Sequence, residues 1–107
     1  PKYSDLLDPH HAARQFRGRP GNYILHFEDG SAYAGRQGER GVRLSSHMRN
    51  HGNQVVAVQF MHDHSNNPCV RADREKQTVD RLEDAGRSLC NVATPSLPQS
   101  CPPRKRR

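Results

Sequence analysis

The stretch Gly21-Asn22-Tyr23-Ile24-Leu25-His26-Phe27-Glu28-Asp29-Gly30-Ser31-Ala32-Tyr33-Ala34-Gly35 decides the fold. Residues 23–27 are rich in β-branched and aromatic side chains, which fit a pleated, half-buried surface. Asp29-Gly30 is a strong hairpin turn signal, because such turns need positive φ and glycine adopts it without steric cost. Ser31 to Gly35 then reads as the returning strand. Two registers compete. A two-residue turn at Asp29-Gly30 pairs Tyr33 with His26 and puts Tyr23 and Tyr33 on opposite faces, since strand side chains alternate. A three-residue loop, Glu28-Asp29-Gly30 with Gly30 left-handed, pairs Tyr33 with Leu25. Tyr23, Leu25 and Tyr33 then share a face. If both tyrosines serve one site, the three-residue loop is expected.

On the N-terminal side, Asp8-Pro9 starts a short helix, with Asp as N-cap and Pro at the first helical position. That helix runs to about Phe16, and Gly18, Pro20 and Gly21 break it. On the C-terminal side, residues 39–50 are expected to be helical, with Val42, Leu44 and Met48 apolar and Asn50 and Gly52 ending the run. Gln54 to Met61 is a buried strand, and His62 to Pro68 a loop. Residues 70–85 form a helix in which Ala72, Val79 and Leu82 recur at helical spacing, and Gly86 stops it. Leu89 to Val92 is a short closing element, helical or coil. Pro95, Pro98, Pro102 and Pro103 then lead into Arg104-Lys105-Arg106-Arg107, a tail of low order. The expected fold is α/β: a three-stranded, mainly antiparallel sheet flanked by helices, in the order β-β-α-β-α-α. It divides into an N-terminal segment 1–20 with its short helix, a domain 21–93, and a Pro-rich basic tail 94–107.

A chain of 107 residues has room for one small domain. Its hydrophobic fraction of 32% implies a thin core. No run approaches the roughly 18 apolar residues of a transmembrane helix, and no signal-peptide pattern is present. The first residue is Pro1 and not Met, so a piece of a longer protein is expected. The net charge of +6 owes much to the tail: without its four cations, thirteen basic residues face eleven acids. Bulk charge therefore does not establish nucleic-acid binding. Arg outnumbers Lys 14 to 3, however, and the guanidinium fork matches phosphate oxygens two at a time. Cys69, Cys90 and Cys101 contain no CxxC pair, so neither a disulfide framework nor a zinc ribbon is indicated, and a reducing compartment is expected.

Glu75 lies along the apolar stripe of its helix, four residues before Val79 and seven before Leu82. A carboxylate there must be paired, protonated or bound to a metal. Arg43 and His47 are neighbours on one helix face and present two donors, either to a phosphate or only to solvent. Tyr23 and Tyr33 are strand tyrosines, which usually pack, although a buried phenol needs a partner and can serve proton transfer. His62 and His64 form a His-x-His with Cys69 close by, open to a zinc reading or to chance alternation. Taken singly, each of these features has an ordinary structural explanation.

Their joint order is more specific. Gly21-Asn22-Tyr23, Tyr33-Ala34-Gly35, Arg43, Glu75 and Asn91 follow one another as in the GIY-YIG nuclease superfamily, which the chain resembles over about residues 21–93. Tyr23, Tyr33 and Arg43 are spaced ten residues apart, as in compact members, and Arg43-Leu44-Ser45-Ser46-His47 resembles the start of the first helix in excision-repair nuclease subunits. The departures are Asn22 and Ala34 where Ile is commoner, and a gap of 16 between Glu75 and Asn91. Glu83 is a rival for the carboxylate role, but it falls nearer its helix end and only eight residues before Asn91.

The resemblance implies phosphodiester hydrolysis with one divalent metal, Mg²⁺ or Mn²⁺, held by Glu75. Arg43, with Arg36 and Arg40, is then expected to bind substrate phosphate. Tyr33 or Tyr23 would position and deprotonate the attacking water, His47 would relay a proton, and Asn91 would hold the site by hydrogen bonds. A phenol with a pKa near 10 needs nearby positive charge for that task. The expected partners are nucleic acid, DNA ahead of RNA, and no membrane. The favoured setting is an antibacterial toxin module cut from a larger secreted protein, acting in the cytoplasm of a target cell and held off by an immunity protein. The alternatives are a repair, restriction or mobile-element nuclease domain, or a non-catalytic nucleic-acid-binding module.

Overall fold

A computed structural model describes residues 2–90. Asn91, Cys101 and the expected tail 94–107 lie outside the described residues. The elements are α1 (Pro9–Gln15), β1 (Gly21–Phe27), β2 (Ala32–Gln37), α2 (Arg43–His51), β3 (Val55–His62) and α3 (Pro68–Asp84). The strands form one antiparallel sheet in the order β2-β1-β3. The α/β class and the helix-flanked three-stranded sheet are therefore as expected from sequence.

The hairpin adopts the three-residue loop. Leu25 pairs with Tyr33 and Tyr23 with Gly35, and Gly30 has φ +90°. Asp29 braces the loop by accepting from the Ser31 backbone N–H and hydroxyl. Alternation then sorts the sheet into two faces. Tyr23, Leu25, Tyr33, Val58 and Phe60 look toward α1 and α2 and build the main core with Ala12, Leu44, Met48 and Val55. Asn22, Ile24, Ala34 and Arg36 look toward α3, as the bond from Asn22 Nδ2 to the Arg71 carbonyl requires.

Residues before β1 belong to this core rather than merely leading into it. Asp8 caps α1 by accepting from His11 N–H, with Pro9 in the first turn, as expected. The preceding stretch lies along β3, where Leu7 and Val58 exchange backbone hydrogen bonds. Residues 88–90 lie along β2, with Ala32 N–H donating to Ser88 and Cys90 N–H to Ala32. The closing element is therefore extended here, and no helix follows α3 among the described residues. Backbone pairing to Ala32 takes the hydrogen-bonding groups that a helix would have used internally.

Two helix starts differ from expectation. Helix α2 begins at Arg43 and not at 39, because Gly41 takes φ +58° and Gly41 N–H closes a turn onto Gly38. Arg40 thus sits in a loop. Helix α3 begins at Pro68, since Asn67 caps it through Cys69 N–H. Cys69 is disulfide-bonded, which removes the cysteine argument for a reducing compartment. Cys90 is free and exposed.

Candidate active site

The site builds around β2. Tyr23 crosses from β1 over Gly35, its register partner, and a Cβ at Gly35 would lie 2.5 Å from the Tyr23 ring. Only glycine leaves room for the ring to lie there. Tyr33 stands beside it, with ring centroids 6.4 Å apart. His47, one turn into α2, closes the group at 5.8 Å from Tyr23 and 4.8 Å from Tyr33. Arg43 opens α2 and is exposed. From the other sheet face, Glu75 of α3 reaches Arg36 of β2 at 3.3 Å, with only 12% of the Glu75 side chain exposed.

These groups act on one another electrostatically. Burial raises the Glu75 carboxyl, and the opposing pull of Arg36 and Arg43 does not overcome it. Burial also raises Tyr33, reinforced by Glu75 and opposed by Arg43 and Arg36. Tyr23 is raised far more, by burial and then by Tyr33, with Arg43 again opposing. Its hydroxyl is buried and has no hydrogen-bond partner among the described residues. His47 is lowered by burial, then by Arg43 and His51, so its imidazole is neutral at pH 7 and can accept a proton. The positive charge expected to lower the phenols is present but weaker than their burial. At neutral pH the phenols therefore keep their protons, and the neutral His47 imidazole stands beside them.

Beside this group opens a cleft of about 550 Å³, lined among others by Tyr33, Arg36, Arg40, Arg43, His47 and Arg71. The structure brings together Tyr23, Tyr33, Arg36, Arg43, His47 and Glu75, and places Arg40 on the cleft wall. Asn91 lies outside the described residues. Glu83 is exposed near the end of α3. Among the described residues no three His, Cys, Asp or Glu side chains form a metal cage. The His62 and His64 rings meet at 4.4 Å, but no third ligand joins them among the described residues.

Sequence reading missed Arg71 and Asp63. Their buried pair, 2.9 Å from Nη1 to Oδ2, links a loop acid to a helix cation eight residues on, a spacing that carries no motif. Asn22, the departure in the first motif, supports the same residue by donating to the Arg71 carbonyl at 2.8 Å.

No protein-family model, no curated protein and no solved structure matches the chain. No helix among the described residues is long and apolar enough to cross a membrane.

Proposed function

We propose that this protein is a metal-dependent endonuclease of the GIY-YIG type that hydrolyses phosphodiester bonds, DNA ahead of RNA. The observation that carries the reading is the meeting of Tyr23, Tyr33, Arg43, His47 and Glu75 at β2, although 52 positions separate the first from the last. A helix carboxylate held largely out of water, together with a buried phenol that has no hydrogen-bond partner among the described residues, is costly to a module that only binds.

The donor set fits a divalent cation of the Mg²⁺ class. Such ions commonly bind one or two carboxylates and complete their shell with water and phosphate oxygens, and Glu75 is a half-buried carboxylate paired at 3.3 Å with Arg36, with Arg43 also acting on its charge. Glu75 would hold the ion, which supplies stabilisation of charge on the phosphate and the leaving oxygen. Arg43 binds the scissile phosphate, and its hold strengthens as charge develops. Tyr33 orients the attacking water and His47 takes its proton. Tyr23 keeps its proton and packs against Tyr33 and His47, holding both in place. Water adds to phosphorus as the bond to the leaving oxygen breaks.

The toxin setting, with an immunity protein as partner and a target-cell cytoplasm as the place of action, belongs to the same proposal.

The test is plasmid nicking with Mg²⁺, with EDTA, and with Glu75→Ala. Cutting by the wild type, its arrest by EDTA and a loss of about 100-fold or more in Glu75→Ala are expected. Undiminished cutting by Glu75→Ala overturns the role of Glu75. Binding of DNA and RNA with no Mg²⁺-dependent cutting of either overturns the enzyme reading.

A further inference from the structure

Two helix N-termini open on the same cleft. Val42, Arg43 and Ser46 bring the start of α2 to its wall, and Pro68 and Arg71 bring the start of α3. Neither first turn contains an acidic residue, so the positive end of each helix dipole faces the cleft uncompensated by its own element. The loop between β2 and α2 adds Arg40. Glu39, the one acid of that loop, accepts from Asn66 Nδ2 and does not line the cleft.

Arg71 is the independent observation. It is only 7% exposed, yet it forms part of the cleft wall. Its Nη1 donates to Asp63 Oδ2 at 2.9 Å and to Asn66 Oδ1 at 3.1 Å. Its Nη2 makes no hydrogen bond among the described residues, and a Cβ added at Gly38, itself on the cleft wall, would lie 3.6 Å from it. Asp63 is 1% exposed and lies outside the cleft. It is saturated by Ser65 N–H, the Ser65 hydroxyl and Asn67 N–H as well as by Arg71. Asn22 holds the Arg71 backbone from the sheet. One edge of the guanidinium is thus clamped and the other is left toward the cleft, an arrangement suited to an anion.

We infer that the cleft is a two-phosphate site: Arg43 at the start of α2 takes one backbone phosphate of a polynucleotide strand, and Arg71 at the start of α3 takes its neighbour. The inference rests on the nuclease reading for identifying the two anions as successive phosphates of one strand. Asp63 is the positioning residue for Arg71.

The test is calorimetric binding in EDTA of thymidine 3′,5′-bisphosphate against thymidine 5′-monophosphate and thymidine 3′-monophosphate. Joining two anions that fit two subsites makes the second contact intramolecular, so the bisphosphate should bind the wild type about tenfold or more tightly than either monophosphate. Arg71→Gln should abolish that gain, bringing the bisphosphate down to the affinity of the monophosphates for the same variant, and Arg71→Lys should retain part of it. Equal affinities of the wild type for bisphosphate and monophosphate overturn the proposal. So does pyrophosphate, similar in charge but lacking the nucleoside spacing, binding as tightly as the bisphosphate, or a folded Arg71→Gln that keeps the full gain. If Arg71→Gln fails to fold, the wild-type comparison decides alone. A bisphosphate preference without any cleavage of DNA or RNA leaves this site standing and removes the nuclease reading. Cleavage without that preference does the reverse.

Discussion

The Tyr23 hydroxyl is buried with no partner among the described residues, beside a carboxylate whose own burial outweighs two arginines. An unsatisfied buried polar group costs about 1–3 kcal/mol, and such a cost persists where a ligand or solvent species meets it during function. Tyr23→Phe keeps the ring packed over Gly35 and removes only the hydroxyl. It should therefore raise stability in urea denaturation by about 1 kcal/mol while lowering nicking activity. A variant that gains stability and cuts like the wild type assigns Tyr23 to packing alone. Glu75→Ala belongs to the same scale, because it removes the one carboxylate that the metal reading requires.

At the scale of elements, the β1–β2 hairpin sets the site through register. Pairing Tyr23 with Gly35 lays the ring across β2, and pairing Leu25 with Tyr33 brings the second phenol to the same face. Gly35→Ala forces a methyl group into the Tyr23 ring. It should cost about 1–3 kcal/mol, the usual range for overpacking, and should lower activity by displacing Tyr23 from Tyr33 and His47. The corresponding methyl at Gly30 meets no neighbouring atom, so Gly30→Ala strains only the loop backbone. Comparing the thermal melts and nicking rates of the two variants separates a packing defect from a loop defect. A Gly35→Ala protein as active as Gly30→Ala would contradict the role of the Tyr23 position.

Across the whole molecule, the Asp63–Arg71 pair ties the end of β3 to α3, and Asp63 N–H also bonds to Pro20, just before β1. Burial acts to raise the Asp63 carboxyl, but hydrogen bonds from Ser65, Asn67 and Arg71 outweigh it and the net shift is downward. The sign follows from linkage. A carboxyl that binds its proton less readily when folded adds stability above its unfolded pKa of about 3.9. That stability is lost as pH falls through the lower folded value. Asp63→Asn should cost about 3–5 kcal/mol at pH 7 by leaving the buried Arg71 charge without its carboxylate counter-ion. It should also flatten the acid limb of a stability–pH curve measured by urea denaturation. A wild-type-like acid limb in Asp63→Asn would place acid sensitivity elsewhere.

The hairpin was legible in the sequence because turn chemistry and β-propensity are local, but the choice between a two-residue and a three-residue loop was made only in the folded sheet, where Leu25 pairs with Tyr33. The caps at Asp8-Pro9, the buried β3 run and the apolar stripe carrying Glu75 were legible for the same reason: each is written within a few residues. The start of α2 was not, because Gly41 is left-handed where its backbone lies against Gly18, a contact across the fold. Nor was the extended path of residues 88–90, which depends on backbone groups of Ala32 from the far end of the domain. By itself the sequence determined the three strands, the capped helices and the place of the hairpin turn, and it left two hairpin registers open. Tertiary structure alone decided that Glu75 meets Arg36, that burial outweighs positive charge at the phenols, and that Arg71 lines the cleft. Desolvation and long-range pairing are properties of the assembled chain, and no local spacing encodes them.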